Sequence, residues 1–193
     1  MKIVSVWNPK GGQGKSTVSI HLAGCAHSLN LKTLIIDRDQ QGTSMLFYNE
    51  GNLPFEVLPD YPKSAPDVDI IFIDHMAADI VIPDSPILVM PFLPIRSQYS
   101  HYLDNYKKAK QANKKIISVI TKTDTRKKDQ NDIVETVKKQ GVFEIKDNVN
   151  IESADSQYRT IFDPTFDKGS NIERARGQVS AVLTSVLQNF ENI

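Results

Sequence analysis

The feature that most constrains the fold of this chain is a glycine-rich turn that lies between two apolar stretches near its start. The apolar run at residues 3–7 predicts a buried strand, and residues 15–29 place apolar side chains at helical spacing. The glycines of the turn are Gly11, Gly12 and Gly14. A strand that ends in such a turn and opens a helix presents free backbone N–H groups at the positive end of that helix. The sequence therefore predicts a loop that binds phosphate groups, in preference to a turn that carries two lysines by chance.

Within residues 10–17, the position of each side chain indicates its role. Lys15 is placed to put its ammonium between the outer phosphates of a nucleotide, and Thr17 is placed to hydrogen-bond the inner phosphate. Ser16 offers a hydroxyl to Mg²⁺. The rest of the predicted phosphate cradle consists of Lys10, Gly11, Gly12, Gln13 and Gly14. The predicted ligands are ATP or ADP together with Mg²⁺.

This loop departs from the general P-loop pattern, because Pro9 stands where that pattern has a glycine. The sequence Lys10-Gly-Gly-Gln-Gly-Lys-Ser is instead the deviant form, and with it the chain resembles the ParA/MinD family of deviant Walker ATPases. The resemblance implies a homodimer that forms on ATP binding, in which Lys10 reaches across to the phosphates of the partner. It also implies a catalytic set made of Lys10, Lys15 and Asp39.

Two carboxylates follow the apolar run at residues 34–36. Asp37 and Asp39 lie two positions apart, so both can face the carboxyl edge of a parallel sheet, where such folds bind their ligands. With Gln41 they match the family's Asp-x-Asp-x-Gln pattern. The resemblance implies that Asp37 helps to hold the magnesium shell and that Asp39 orients the attacking water. The alternative is that both aspartates only cap a turn after the strand.

Another carboxylate, Asp74, ends the apolar run at residues 70–73 and has the form of a Walker B element. The predicted metal-binding set is therefore Ser16, Asp37 and Asp74. The following segment, His75-Met76-Ala77-Ala78-Asp79, departs from the family's switch loop, which commonly has small residues and proline or glycine. A lone histidine at a strand end is more often structural or exposed than a phosphate sensor, so His75 is given no role in the site.

The residues that follow the strand at residues 116–120 indicate whether the bound nucleotide carries adenine or guanine. In the family, the equivalent position lines an adenine pocket, and Thr121 and Lys122 are the matching pair here. The same segment continues to Asp124 and superficially resembles the Asn-Lys-x-Asp guanine reader of GTPases. ATP is favoured, with GTP as its competitor.

Short runs rich in Ile and Val recur along the chain and predict the fold. The runs occupy residues 2–7, 33–36, 69–73, 86–91 and 116–120. Their near-continuous hydrophobicity indicates strands buried on both faces of a mainly parallel sheet. Helices are predicted at residues 15–29, 98–113, 128–140 and 172–190. The expected fold is one α/β domain over residues 1–193, with the three-layer architecture of P-loop NTPases.

Two further predictions concern the end of a helix and a proline-rich loop. Gly141 is expected to end the third helix. Four prolines mark residues 54–66 as a loop that holds at most one short strand at residues 55–58.

Composition limits the partners of the chain. Lys+Arg and Asp+Glu both number 23, so the net charge of zero argues against a surface that is basic throughout. Local basic clusters remain, and the C-terminal set of Arg159, Lys168, Arg174 and Arg176 is the candidate for DNA phosphates. The only cysteine, Cys25, fits a reducing cytoplasm. The last helix has no lysine or arginine after Arg176, which disfavours a membrane anchor.

The resemblance implies a ParA-type ATPase for plasmid or chromosome partition, located in the cytoplasm and on the nucleoid. Its expected partners are a second copy of the chain, non-specific DNA and a centromere-binding, ParB-like adaptor that stimulates hydrolysis. Two rival functions use the same scaffold. One is a positioning ATPase for another cargo, and the other is a dethiobiotin-synthetase-like ATP-dependent ligase.

Overall fold

The sheet of the computed structural model, which describes residues 1–51, 53–166 and 171–192, has seven parallel strands in the order β3-β2-β4-β1-β5-β6-β7. The strands are β1 (Lys2–Val6), β2 (Thr33–Asp37), β3 (Glu56–Leu58), β4 (Ile70–Asp74), β5 (Ile87–Phe92), β6 (Lys115–Thr123) and β7 (Phe143–Lys146). All six strand pairs are parallel, so the predicted mainly parallel sheet is confirmed.

Helices cover both faces of this sheet. They are α1 (Lys15–Ser28), α2 (Thr43–Glu50), α3 (Arg96–Gln111), α4 (Lys128–Lys138), α5 (Val149–Ser156) and α6 (Ile172–Glu191). On one face, α1 and α6 pack with Val4 and Phe72 in the larger apolar core. On the other face, α3 and α4 pack over Trp7 and Met90. The predicted three-layer α/β architecture is confirmed.

Strand β1 illustrates why the sheet is buried on both sides. Val4 and Val6 lie in the core beneath α1, whereas Trp7 lies in the core beneath α3 and α4. All three side chains have no solvent exposure. Because successive residues of a strand point to opposite faces, a continuous apolar run fits a strand that both layers cover.

The four predicted helices and the five predicted strands are present, with ends that differ by a few residues. The short strand in the proline-rich loop is also present, as β3. Gly141 ends the third predicted helix with a φ of 77°, and the Val142 N–H donates to the Val137 carbonyl at 3.2 Å. A left-handed residue with this bond is a common helix end. Strand β7 and helices α2 and α5 were not predicted.

The apolar stripe of the final helix is buried inside the protein. Val179, Val182, Leu183 and Val186 of α6 are buried in the core that α1 also lines. Among the described residues, no helix combines the length and apolar character that a bilayer span requires.

Candidate nucleotide site

The phosphate loop follows β1 at the centre of the sheet. Gly12 and Gly14 have φ values of 72° and 83°, a left-handed backbone that residues with a Cβ rarely adopt. Helix α1 starts directly after the turn, and the Val18 N–H donates to the Gly14 carbonyl at 2.9 Å. The glycines therefore supply the turn, and the helix supplies a positive N-terminus with free N–H groups.

Gln13 stabilises this loop through hydrogen bonds of its side chain. Its side chain is buried and donates to the Gly11 carbonyl and to Gln98, each at 3.0 Å, while the Leu93 N–H donates to its Oε1 at 3.1 Å. The Thr121 hydroxyl donates to the Gln13 carbonyl at 3.1 Å. The Gln13 side chain is thus occupied by the protein, which leaves only its backbone for a phosphate.

An open cleft lies in front of the loop. Its lining comprises residues 11–17 together with Asp39, Gln41, Thr43, Ala77 and Lys122. Burial lowers the pKa of Lys15, and the charges of Asp74 and Asp39 oppose that effect. Lys15 therefore lies among carboxylates, with its ammonium 3.4 Å from the Lys10 carbonyl. Lys10 itself is exposed and does not line the cleft of its own chain.

Asp37 is held by the backbone that follows it. Its two carboxylate oxygens accept from the Asp39 N–H at 3.0 Å and from the Met45 N–H at 2.8 Å, the latter in the first turn of α2. Asp39 in turn accepts from the Gln41 N–H at 3.0 Å. The turn-capping role considered for both aspartates is therefore present in the structure, and a magnesium or water-orienting role would be additional to it.

Asp74 differs from Asp37, because one of its oxygens has no partner. The Ser44 hydroxyl donates to Oδ2 at 2.9 Å, whereas the buried Oδ1 has no hydrogen bond within the described structure. Burial raises the pKa of Asp74 to about 7, against the hydroxyls of Ser16 and Ser44 and the charge of Lys15. A buried carboxylate oxygen without a donor fits a bound cation or a water in its shell.

The side chains around Asp74 do not form a cage of protein ligands. No group of three or more His, Cys, Asp or Glu side chains suited to a metal is found in the part of the chain that the structure describes. Mg²⁺ is usually bound through one or two carboxylates, waters and substrate phosphates, so a cage of protein ligands is not required. Of the predicted metal-binding residues, Ser16 lines the phosphate cleft, whereas Asp37 and Asp74 are buried behind it.

A second pocket continues from the phosphate cleft toward β7 and α5. Gly14, Thr17 and Lys122 line both spaces, and the second pocket encloses about 570 Å³ with its open mouth included. Its further lining includes Thr121 on one side and Asp147, Asn148 and Asp155 on the other. A mainly apolar pocket joined to a phosphate cleft is a candidate site for the base and sugar of a nucleotide.

Thr121 and Lys122, which were predicted to line a base pocket, both line this second pocket, and Lys122 also lines the phosphate cleft. Lys122 has a φ of 53°, at an irregularity where the pairing of β6 with β7 shifts between Thr121 and Thr123. Such a conformation is strained for a lysine and is typical of functional sites.

Several residues of the base pocket were missed because they lie on the unpredicted β7 and α5. They are Lys146, Asp147, Asn148, Ile151, Glu152 and Asp155, and His21 of α1 joins them. The available sequence signal was Asn148, whose side chain accepts from the Asn150 N–H at 2.8 Å and caps α5. An asparagine cap shortly after Phe143 and Ile145, which alternate with polar residues, would have indicated the strand-to-helix connection.

The guanine-reading alternative depended on Asp124, which does not line this pocket. Side-chain hydrogen bonds from Arg126, at 2.8 Å to each carboxylate oxygen, lower the pKa of Asp124 to about 2. A carboxylate that already has a bidentate guanidinium partner is a poor reader of a base edge.

His75 is buried in a hydrogen-bonded chain that connects β1 with the segment after β4. Its Nδ1 lies 3.0 Å from Asp79 Oδ2, its Nε2 lies 2.9 Å from Ser5 Oγ, and Ser5 Oγ lies 2.8 Å from Ser85 Oγ. Burial lowers the pKa of His75, so the ring is neutral near pH 7. Nδ1–H then donates to the carboxylate, Nε2 accepts from Ser5, and Ser5 accepts from Ser85.

The parallel sheet, the glycine-rich loop that opens α1 and the acidic strand ends beside it define a nucleotide-binding protein of the P-loop class. Residues 4–161 match the sequence model of the family described as the CobQ/CobB/MinD/ParA nucleotide binding domain. This match covers well over half of the chain. The chain therefore belongs to that family and is a nucleotide-binding ATPase.

Individual proteins are also similar to the chain. Over 43 residues it is 40% identical to the sporulation initiation inhibitor protein Soj of Bacillus subtilis (strain 168), which covers 22% of this chain and 17% of Soj. The fold is similar to a plasmid partition protein from Borrelia burgdorferi B31 bound to AMPPNP, with a TM-score of 0.73 and 17% identity over 95% of this chain and 98% of that one.

The fold is also similar to the septum site-determining protein MinD from Pyrococcus horikoshii OT3, which is complexed with Mg-ADP. The TM-score is 0.66 and the identity 15%, over 93% of this chain and 94% of that one.

Proposed function

We propose that this chain is a ParA-type ATPase for DNA partition, which dimerises on binding ATP with Mg²⁺ and then binds DNA non-specifically. The observation that carries the proposal is Lys10. Its side chain is exposed and stands outside the cleft of its own chain, next to a complete phosphate cradle. A cation in that position supports a role toward the phosphates of a second copy.

In this proposal, each nucleotide is bound by the residues of one chain, and residues of both chains of the dimer neutralise the charge of its phosphates. Lys15 and the N–H groups of residues 11–17 would hold the phosphates, and Asp39 would orient water for in-line attack. Ser16, Asp37 and Asp74 would hold the magnesium shell, which neutralises phosphate charge. Thr121, Lys122 and the pocket beyond them would receive the base, with ATP preferred over GTP.

DNA binding would use basic side chains that the fold brings together. Arg174 of the predicted C-terminal set lines an open pocket at the end of the sheet together with Lys146, which supports these two as phosphate contacts. Arg126 lines the same pocket but already pairs with Asp124 at 2.8 Å. Other members of the C-terminal set are also paired or undescribed. Arg159 pairs with Asp163 at 3.3 Å, and Arg176 pairs with Glu173 at 2.8 Å. Lys168 lies outside the described residues.

Hydrolysis would release the dimer from DNA, and a centromere-binding, ParB-like adaptor would stimulate it. Nucleoid association would follow from the DNA-bound state. The continuous sheet through the described residues supports treating residues 1–193 as one domain.

The test compares the wild type with Lys15→Ala and Lys10→Ala in two assays, ATP turnover and co-sedimentation with DNA of unrelated sequence. We expect ATP-dependent DNA binding by the wild type alone. Lys15→Ala should lose nucleotide binding, and Lys10→Ala should retain nucleotide binding but lose DNA binding. If ATP does not promote DNA binding by the wild type, the partition function is wrong. ATP turnover that requires a small carboxylate metabolite would instead indicate the ligase.

A further inference from the structure

The segment that follows β4 contacts the phosphate loop directly. The Ala78 N–H donates to the Pro9 carbonyl at 2.7 Å, and Ala78 has a φ of 66°. A Cβ built on Gly11 would lie 3.6 Å from the Ala77 Cβ, which is van der Waals contact. Ala77 also lines the phosphate cleft. The conformation of residues 77–78 therefore defines one wall of the space that the phosphates and the attacking water would share.

Three side-chain hydrogen bonds hold this segment in place. His75 bridges Ser5 of β1 and the carboxylate of Asp79, at 2.9 and 3.0 Å. The Trp7 Nε1–H donates to the Asp79 carbonyl at 2.9 Å. Both ends of residues 75–79 are thus fixed to β1, on either side of the Ala77-Ala78 pair.

The arrangement of Ser5, His75 and Asp79 has the connectivity of a hydrolytic triad, but access excludes that chemistry. Ser5 lies within β1 and borders an open pocket together with His75, Asp79 and Ser85, but it has no solvent exposure, so its hydroxyl is not presented to a substrate. The three side chains act on the backbone around them.

We propose that His75 is a positioning residue for ATP hydrolysis, which acts by fixing Ala77 and Ala78 against the phosphate loop through its bonds to Ser5 and Asp79. Strain at Ala78 is the reason that such a clamp is needed, because a left-handed alanine persists only where its surroundings impose it. Without the two bonds made by His75, which form this clamp, residues 77–78 relax away from Gly11 and Pro9. The wall of the cleft beside the attacking water then loses its shape. The proposal concerns turnover by the ATPase and does not depend on DNA binding.

The test uses four single variants and the full chain. His75→Ala and Asp79→Ala break the clamp at either end. Asp79→Asn retains an oxygen that accepts from His75 Nδ1–H and is the conservative replacement. Ser85→Ala is the matched control, because it removes a 2.8 Å hydrogen bond to the same Ser5 hydroxyl and leaves the bonds from His75 to Ser5 and Asp79 in place.

Steady-state ATP turnover and the dissociation constant for ATP with Mg²⁺ are measured for each variant. We expect kcat to fall about 10- to 100-fold in His75→Ala and Asp79→Ala, since misplacement of a positioning group by about 1 Å has effects of this size. Nucleotide affinity should change by less than about 3-fold, because the cradle and the base pocket are untouched. Asp79→Asn and Ser85→Ala should keep kcat within about 3-fold of the wild type.

The emission of Trp7 provides a second readout, since the chain has a single tryptophan and its indole N–H bonds the Asp79 carbonyl. We expect a shift in His75→Ala and Asp79→Ala and none in Ser85→Ala.

Two results would overturn the proposal. One is an unchanged kcat in folded His75→Ala and Asp79→Ala, and the other is a loss in Ser85→Ala as large as that in Asp79→Ala. If His75→Ala does not fold, the comparison of Asp79→Ala with Asp79→Asn decides alone, since the Asp79 side chain is 28% exposed and less buried than that of His75. In that comparison, equal kcat values for the two variants would also overturn it.

Discussion

At the scale of single residues, Asp37 and Asp74 pair in register across β2 and β4 but differ in their hydrogen bonding. Asp37 receives two backbone N–H groups from the segment that follows it, whereas Asp74 keeps one oxygen without a donor. The sequence predicted both carboxylates at the carboxyl ends of parallel strands. The bonding of Asp74 could not be predicted, because it depends on Ser44 in a distant segment.

The raised pKa of Asp74 predicts a pH-dependent stability of the nucleotide-free protein. The folded state binds the proton more tightly than the unfolded chain, with a pKa of about 7 against 3.8. The stabilisation is therefore full below the unfolded pKa and is lost as pH rises through about 7. We expect Asp74→Asn, which removes the buried charge, to be more stable than the wild type at pH 8 by on the order of 3 kcal/mol.

Urea unfolding at pH 4 and pH 8, without nucleotide or Mg²⁺, measures this difference. At pH 4 the gap between Asp74→Asn and the wild type should largely close, because the wild-type carboxyl is then mostly neutral in the folded state. An asparagine variant that is less stable than the wild type at pH 8 would contradict this account of Asp74.

At the scale of elements, long periodic segments were predictable and short capped ones were not. Helix α6 carries an apolar stripe over 20 residues, and its burial against α1 follows from that pattern. Helices α2 and α5 have eight residues each, too few to show a period. The Met45 N–H near the start of α2 donates to Asp37 of β2, whereas Asn148 caps α5 locally.

For two glycines inside helices, we predict opposite effects of an alanine substitution on the stability of the protein. A Cβ on Gly24 of α1 would lie 2.5 Å from the Thr160 hydroxyl, whereas a Cβ on Gly177 of α6 would meet nothing within 4 Å. Gly24→Ala should therefore destabilise the protein by about 1–3 kcal/mol through overpacking. Gly177→Ala should stabilise it by about 0.5–1 kcal/mol, because alanine loses less conformational entropy in a helix.

Chemical denaturation of both variants beside the wild type tests this packing directly. Each is the control for the other, since both exchange glycine for alanine within a helix. Equal effects of the two substitutions would show that the close approach of α1 to Thr160 is wrong.

At the scale of the whole molecule, the mainly parallel sheet and the position of the phosphate loop were predictable from the alternation of apolar runs and helices along the chain. The base pocket was not, because β7 and α5 complete it from a distant part of the chain. The assembly proposed here depends on Lys10, whose side chain is exposed and lies outside the cleft of its own chain.

The molecular mass in solution, measured by light scattering with and without ATP and Mg²⁺, tests the central claim most directly. The account predicts a monomer of 21.7 kDa without nucleotide and a doubled mass with ATP. It also predicts that Lys10→Ala binds ATP but remains monomeric. A wild-type chain that binds ATP and stays monomeric, or a Lys10→Ala variant that dimerises as the wild type does, would contradict it.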